Sequence, residues 1–86
     1  MHMIDMLSNY EVKMQVYADI DNDSGVSGFE INADSITVWF TGTARPYTYS
    51  YESAGRDHVE TMKRLAKSGD GLNSYINRNV RNKYVR

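Results

Sequence analysis

The sequence predicts an α+β fold, a small antiparallel meander of three to four strands followed by two C-terminal helices packed on one face. Two observations carry this prediction. In four segments between about residue 10 and residue 51, apolar residues alternate with polar ones, which is the pattern of half-buried strands. Beyond residue 56 the apolar spacing becomes helical, and strands followed by helices are typical of the α+β class.

Length and composition limit the protein to one domain. The chain has 86 residues, 41% of them hydrophobic, 24% charged and 12% aromatic, which is a globular composition. We therefore expect a single domain over residues 1–86. The absence of cysteine excludes disulfide scaffolds, zinc–cysteine sites and cysteine nucleophiles.

The sequence gives no sign of a membrane segment or a secretory signal. No apolar run approaches the ~18 residues of a membrane span, and the N-terminus lacks a basic flank with an apolar core. We expect a soluble, cytoplasmic protein with no membrane partner.

Four segments alternate as strands. The first, 10–20, is predicted to bury one face, formed by Tyr10, Val12, Met14, Val16, Ala18 and Ile20. The second, 29–33, places Phe29, Ile31 and Ala33 on one side, and a tight turn leads into the third, 35–40, with Ile36, Val38 and Phe40 on one face. The fourth, 47–51, aligns Tyr47, Tyr49 and Tyr51.

Two helices follow the strands. The first, 56–69, carries its apolar residues at helical spacing, with Asp57 and Glu60 as a capping box and Gly69 as the stop. Asp70 is predicted to cap a second helix that runs to about residue 82. The apolar arc of that helix consists of Leu72, Tyr75, Ile76 and Val80. Asn79 falls within this arc, which predicts a hydrogen bond from its amide to a backbone group of the sheet.

The net charge of −1 conceals an asymmetry along the chain. Residues 1–55 carry eight acidic and two basic groups, whereas residues 56–86 carry eight basic and three acidic ones. Two interpretations stay open. Either the basic half steers a polyanion, or the two halves pack against each other and neutralise their charges.

An acidic loop, 19–30, has the spacing of a calcium-binding helix–loop–helix hand. Its candidate ligands are Asp19, Asp21, Asp23 and Glu30. Ser24 stands where the sharp turn needs glycine, and both flanks are predicted strands, so an ordinary solvated turn is favoured and calcium is a weak alternative.

The tyrosine row Tyr47, Tyr49 and Tyr51 also permits two interpretations. Exposed rings on a sheet stack unpaired bases. Buried rings would instead fill the core of a domain that has few other large residues, and this second interpretation is favoured for most of the row.

The last helix is basic and rich in asparagine. The guanidinium groups of arginine bind phosphates, and the side-chain amides of asparagine form hydrogen bonds with base edges. The candidate nucleic-acid or anion-binding residues are Asn73, Asn77, Arg78, Arg81, Lys83 and Arg86. The alternative is a solvated helix face.

Catalysis has little support in the sequence. His58, beside Asp57, has no second histidine at metal-ligand spacing and no nucleophile motif near it. We expect a surface histidine, no enzyme activity, no cofactor and no bound metal.

Three stretches together resemble the KTSC domain, which takes its name from the C-terminal domain of some lysyl-tRNA synthetases. They are SITVWFTG (35–42), PYTYSY (46–51) and SGDGLNSYINRNVRNKY (68–84), and the last places Gly71, Ile76-Asn77, Val80-Arg81 and Tyr84 at the family's positions. The resemblance covers about residues 28–84. The strand 10–20 precedes the part that resembles the family, and the third alternating tyrosine departs from the family's Y-x-Y pattern. The resemblance implies a free-standing bacterial or phage member of a family suggested to bind RNA, without an established catalytic activity.

The sequence thus predicts a small non-enzymatic domain that binds RNA or another single-stranded nucleic acid through its last helix. A second hypothesis is an oligomeric phage-type protein that binds a nucleotide-sized anionic ligand or a partner protein, assembled through the open edges of its small sheet.

Overall fold

The fold is taken from a computed structural model that describes residues 14–18 and 25–86. Within these described residues, four strands come first and three helices follow. The strands are β1 (Gln15–Val16), β2 (Val26–Asn32), β3 (Ser35–Phe40) and β4 (Pro46–Ser50). The helices are α1 (Tyr51–Ala54), α2 (Arg56–Ser68) and α3 (Leu72–Asn79). The predicted α+β class is confirmed, and the short α1 is an addition to it.

The strands form one antiparallel sheet in the order β1-β2-β3-β4. Ile36 lies opposite Tyr49, and Val38 lies opposite both Phe29 and Tyr47. These residues face the core, where Ile36 and Val38 are completely buried. The predicted buried face of the third strand is therefore confirmed for these two residues, and Phe40 is partly buried at its end.

The predicted buried face of the first strand is wrong. Val16 is 80% exposed, Met14 is 41% exposed and Ala18 is also exposed, whereas Tyr17 is buried at 4%. The pairing of Gln15 with Phe29 turns the face that carries Gln15 and Tyr17 towards the core. Tyr10, Val12 and Ile20 lie outside the described residues.

The ends of β2 and β4 differ from the predicted strands. Ala33, predicted on the core face, lies exposed in the turn before β3. Tyr51 does not continue the row of Tyr47 and Tyr49, because it begins α1. The Ser50 side chain accepts from the Ser53 amide, and the Ser53 side chain accepts from the Ser50 amide, which forms a capping box and ends β4.

Helix α2 spans almost the predicted range. Val59, Met62 and Ala66 are buried, and Gly69 adopts the left-handed conformation at φ 75°, as its predicted role as the stop requires. The Asp57–Glu60 capping box is wrong. The N-cap is Gly55 at φ 99°, which makes no side-chain cap.

Helix α3 is shorter than predicted and is capped differently. Gly71 at φ 81°, not Asp70, is its N-cap, and Val80 at φ −135° follows its last residue. Leu72, Ile76 and Val80 are buried, in agreement with the apolar arc. The prediction for Asn79 is wrong. Its side chain is exposed and donates to the carbonyl of Tyr75 on its own helix.

One core joins the sheet to α2 and α3. The buried cluster contains Ile36, Val38 and Tyr49 from the sheet, Met62 from α2 and Ile76 from α3. The helices therefore cover the sheet face that carries these residues. The buried Tyr17 hydroxyl accepts a 3.2 Å hydrogen bond from the amide of Leu72, which has no partner within its own helix. No helix in the described part of the chain is long and apolar enough to cross a membrane.

Candidate nucleic-acid interface: an aromatic cleft beside the basic C-terminus

An open cleft of about 350 Å³ lies between the sheet and the chain that follows α3. We call it the aromatic cleft. The sheet and the loop after β3 supply one side, and α3 and the C-terminal tail supply the other. Its lining consists of Phe40, Thr43, Tyr47, Tyr49, Ile76, Asn77, Arg81, Asn82 and Tyr84.

The loop between β3 and β4 places Thr43 at the rim. Gly42 adopts φ 89°, a left-handed conformation that favours glycine, and the Thr43 amide donates to the Phe40 carbonyl at 3.3 Å. The Thr43 hydroxyl accepts from the Arg45 amide at 3.2 Å. The chain thus reverses tightly, and Phe40 and Tyr47 lie side by side.

The C-terminal tail, residues 83–86, brings Tyr84 to the opposite wall. The amide of Lys83 donates to the Val80 carbonyl at 2.8 Å, which turns the chain back after α3. The amide of Val85 then donates to the carbonyl of Thr48 at 2.7 Å. This pairing with β4 positions Tyr84 against the tyrosines of the sheet.

The rings pack edge to face. The ring centroids of Tyr47 and Tyr84 are 4.8 Å apart at 78°, those of Phe40 and Tyr47 are 5.6 Å apart, and those of Tyr49 and Tyr84 are 6.3 Å apart. Such pairs are favourable because a ring edge is positive and a ring face is negative. Burial, followed by the neighbouring phenols Tyr47 and Tyr84, raises the pKa of Tyr49 to about 12.

Arginine side chains cover two of these rings. The Arg45 guanidinium lies 5.4 Å from the ring centroid of Tyr47, and that of Arg86 lies 4.7 Å from the centroid of Tyr84. Arg86 also donates to the Asn82 carbonyl at 3.3 Å. The cleft therefore carries positive charge on its aromatic border.

The structure brings four of the predicted site residues together in the aromatic cleft: Tyr47, Tyr49, Asn77 and Arg81. Tyr49 is a core residue at 2% exposure, so the core interpretation holds for it. Tyr47 is half-buried, which leaves part of its ring open to the cleft.

The remaining cations lie close by in sequence but do not line the cleft. Arg78, Lys83 and Arg86 are exposed on the last turn of α3 and the tail. With Arg81 they form a set that we call the basic C-terminal segment. The exposure of all four fits the solvated surface that an anion-binding role requires.

Two predicted residues lie elsewhere. The Asn73 side chain packs so closely on the Gly25 backbone that a Cβ at residue 25 would overlap it. The Tyr51 hydroxyl donates to the Glu60 carboxylate, which raises the pKa of Tyr51 and lowers the pKa of Glu60. Lys63 also bonds Glu60 at 3.0 Å, so Tyr51 belongs to a cluster at α2.

Sequence reasoning missed Phe40, Thr43, Asn82 and Arg45 as members or neighbours of the cleft. Phe40, Thr43 and Arg45 are distant in sequence from α3, and no periodicity links them to it, whereas Asn82 lies just after α3 and outside its predicted polar face. Tyr84 is predicted only as one of the positions that resemble the KTSC domain. An amide and an aromatic ring two residues apart, Asn82 and Tyr84, in a segment rich in arginine, are the sequence feature that could have indicated this part of the cleft.

The other candidate sites contribute little to the described structure. Glu30 lies in β2 opposite Thr37, and Asp19, Asp21 and Asp23 lie outside the described residues, so the calcium hypothesis stays a prediction. Within residues 14–18 and 25–86, no group of three His, Asp or Glu side chains could hold a metal. His58 is half-buried, and its Nδ1 lies 2.6 Å from the Tyr75 hydroxyl, which links α2 to α3.

No protein-family model matches the chain, and neither the curated proteins nor the solved structures provide a match. The resemblance to the KTSC domain therefore stays a prediction.

Proposed function

We propose that this chain is a non-catalytic binding protein for single-stranded nucleic acid, RNA in particular. In this proposal the basic C-terminal segment contacts phosphates and the aromatic cleft receives an unpaired base. The observation that carries the proposal is that Tyr47, Asn77 and Arg81 line one open cleft, because aromatic, amide and guanidinium groups are those that bind a base and its phosphate.

The charge of the basic C-terminal segment is available to a ligand. Arg78, Arg81, Lys83 and Arg86 are exposed, and none of them pairs with a carboxylate among the described residues. Neutralising such cations within the protein would cost affinity for a polyanion. Because these cations are unpaired, they attract the phosphates of a strand, and binding then releases the counterions of that strand.

A single strand fits the cleft better than a duplex does. The rings of Phe40, Tyr47 and Tyr84 meet inside a concavity, so a base must leave its stack to reach them. In a duplex this step costs unpairing energy, whereas the bases of a single strand are already accessible.

The test is fluorescence anisotropy of a labelled single-stranded RNA, titrated with the protein at several salt concentrations. Single-stranded binding changes by about 0.7 logarithmic units of affinity per unit of log salt for each phosphate contact, so four contacts predict a slope near −3. Duplex DNA of the same length serves as competitor and should displace the RNA poorly.

The variant Arg78→Ala/Arg81→Ala should weaken binding and reduce the slope by about 1.4. The matched control is Arg64→Ala/Lys67→Ala, which removes the same charge from two exposed residues of α2. Equal affinity for the wild type and the first variant would contradict the proposal. Equal losses of affinity in both variants would show that RNA binding depends only on net charge and not on the basic C-terminal segment.

A further inference from the structure

We infer that the aromatic cleft is a pocket for one nucleotide, which recognises the base as well as the phosphate and takes a free nucleoside monophosphate without a surrounding strand. This inference rests on the proposed function, because it names the part of the strand that enters the cleft. It adds a small-molecule ligand class and a stoichiometry of one ligand per chain.

The size of the cleft favours a single nucleotide. Ligand pockets in proteins hold about 300–1,000 Å³, and the aromatic cleft, at about 350 Å³, lies at the lower end of this range. Several nucleotides would need a longer groove. One base with its sugar and phosphate is therefore the largest part of a strand that the cleft accommodates.

The rings define where the base lies. Tyr47 and Tyr84 each already hold a flat cationic group against the ring, at 5.4 Å from Arg45 and 4.7 Å from Arg86. A guanidinium and a nucleobase are both planar and delocalised, and both stack on aromatic faces. Arg45 is exposed, so its guanidinium can leave the Tyr47 ring and stack on the other side of an incoming base.

The amides supply recognition of the base edge. The side chains of Asn77 and Asn82 line the cleft, are exposed, and make no hydrogen bond with the described residues. A carboxamide offers both a donor and an acceptor, as a base edge does. A sugar phosphate lacks such an edge and leaves these amides without their partner.

Arg81 completes the pocket on the side of the phosphate. It lies in the turn after α3 and lines the cleft together with Asn77, one helical turn earlier in the sequence. Its forked guanidinium binds phosphate oxygens in pairs, which an isolated lysine does not do. The plane of the base, the edge of the base and the phosphate are thus each bound by a different group of the same cleft: the aromatic rings, the amides and Arg81.

The experiment is isothermal titration calorimetry of the full chain with adenosine and uridine 5′-monophosphate, and with ribose 5-phosphate and inorganic phosphate as probes without a base. We expect one mononucleotide per chain and at least tenfold weaker binding of both base-free probes. The variant Asn77→Ala/Asn82→Ala should lose about tenfold in mononucleotide affinity while ribose 5-phosphate is unaffected.

Amide and indole NMR resonances locate the ligand. Thr43, Asn77 and Tyr84 should shift on addition of the mononucleotide. Trp39 is the internal control, because it follows the completely buried Val38 in β3 and therefore lies on the sheet face opposite the core, so its indole resonance should not move.

Each outcome separates this inference from the proposed function. Binding of RNA without binding of either mononucleotide, or equal binding of mononucleotide and ribose 5-phosphate, would overturn the inference and leave RNA binding standing. Mononucleotide binding with the expected shifts, but no RNA binding, would support the inference and overturn the proposed function. Shifts confined to residues outside the cleft would overturn the inference.

Discussion

Val85 donates its backbone amide to the carbonyl of Thr48 at 2.7 Å, so the C-terminal tail lies along the edge of β4. An edge strand with open backbone groups invites pairing with another chain. Here the tail of the same chain occupies part of that edge. The same bond holds Tyr84 against Tyr47, which connects the protection of the edge to the shape of the aromatic cleft.

Removing this amide should loosen both the tail on the edge of β4 and the wall of the aromatic cleft. We predict that Val85→Pro, which lacks the donor, lowers the free energy of unfolding by about 1 kcal/mol and weakens RNA binding. Val85→Ala keeps the amide and removes only a half-exposed side chain, so it should stay within about 0.5 kcal/mol of the wild type. Urea unfolding of both variants tests this, and equal stabilities would show that the bond is dispensable.

Tyr17 and Val16 test which face of β1 is buried. Tyr17→Phe deletes the hydroxyl that accepts from Leu72 and leaves this amide unsatisfied in the core, which should cost about 1–3 kcal/mol. Val16→Ala alters a side chain that is 80% exposed and should cost less than about 0.5 kcal/mol. Thermal or urea unfolding measures both, and the reverse ranking would restore the face that alternation predicts.

The buried phenol of Tyr49 should make stability depend on alkaline pH. Its pKa is about 12 in the folded protein, against about 10 for an ordinary phenol. Between these values the unfolded chain has released the proton and the folded protein has kept it, so the free energy of unfolding falls as pH rises from about 10 to about 12. Below pH 10 this group contributes no pH dependence.

The variant Tyr49→Phe isolates this effect from the other groups that titrate in the same range. It should show a shallower decline of stability from pH 10 to 12 than the wild type, measured by urea unfolding at fixed pH values. Identical slopes in the two proteins would mean that Tyr49 ionises as readily when folded as when unfolded.

Gly25 and Asn73 should be energetically coupled. A methyl group at residue 25 would overlap the Asn73 amide, so Gly25→Ala should destabilise the protein by about 1–3 kcal/mol. In the Asn73→Ala background the amide that the methyl group would overlap is gone, so the penalty should be smaller by at least about 0.5 kcal/mol. A double-mutant cycle by urea unfolding measures the coupling, and strictly additive losses would contradict it.

The sequence by itself determined the elements whose periodicity is long and regular. Helix α2 follows an apolar stripe through Val59, Met62 and Ala66, and β3 follows the alternation of Ile36 and Val38. These patterns are local, because each residue's face follows from its neighbours a few positions away. The order of strands and helices then gave the α+β class.

Alternation alone could not decide which face of β1 is buried. Met14 and Val16 are apolar and Tyr17 has a polar group, yet Tyr17 is buried, because its hydroxyl satisfies the first amide of α3. That partner lies 55 residues away. The helix caps are similar, since glycines in left-handed conformations displaced the predicted Asp57 and Asp70.

The candidate site was only half determined by sequence. Asn77 and Arg81 were visible from residue type on one helix, as was Tyr47 on one strand. Only the tertiary structure decided that they share a cleft, and that Asn73 and Tyr51 do not. The physical reason is that the cleft depends on the turn after Val80 and the bond from Val85 to Thr48, which bring Tyr84 back to the sheet.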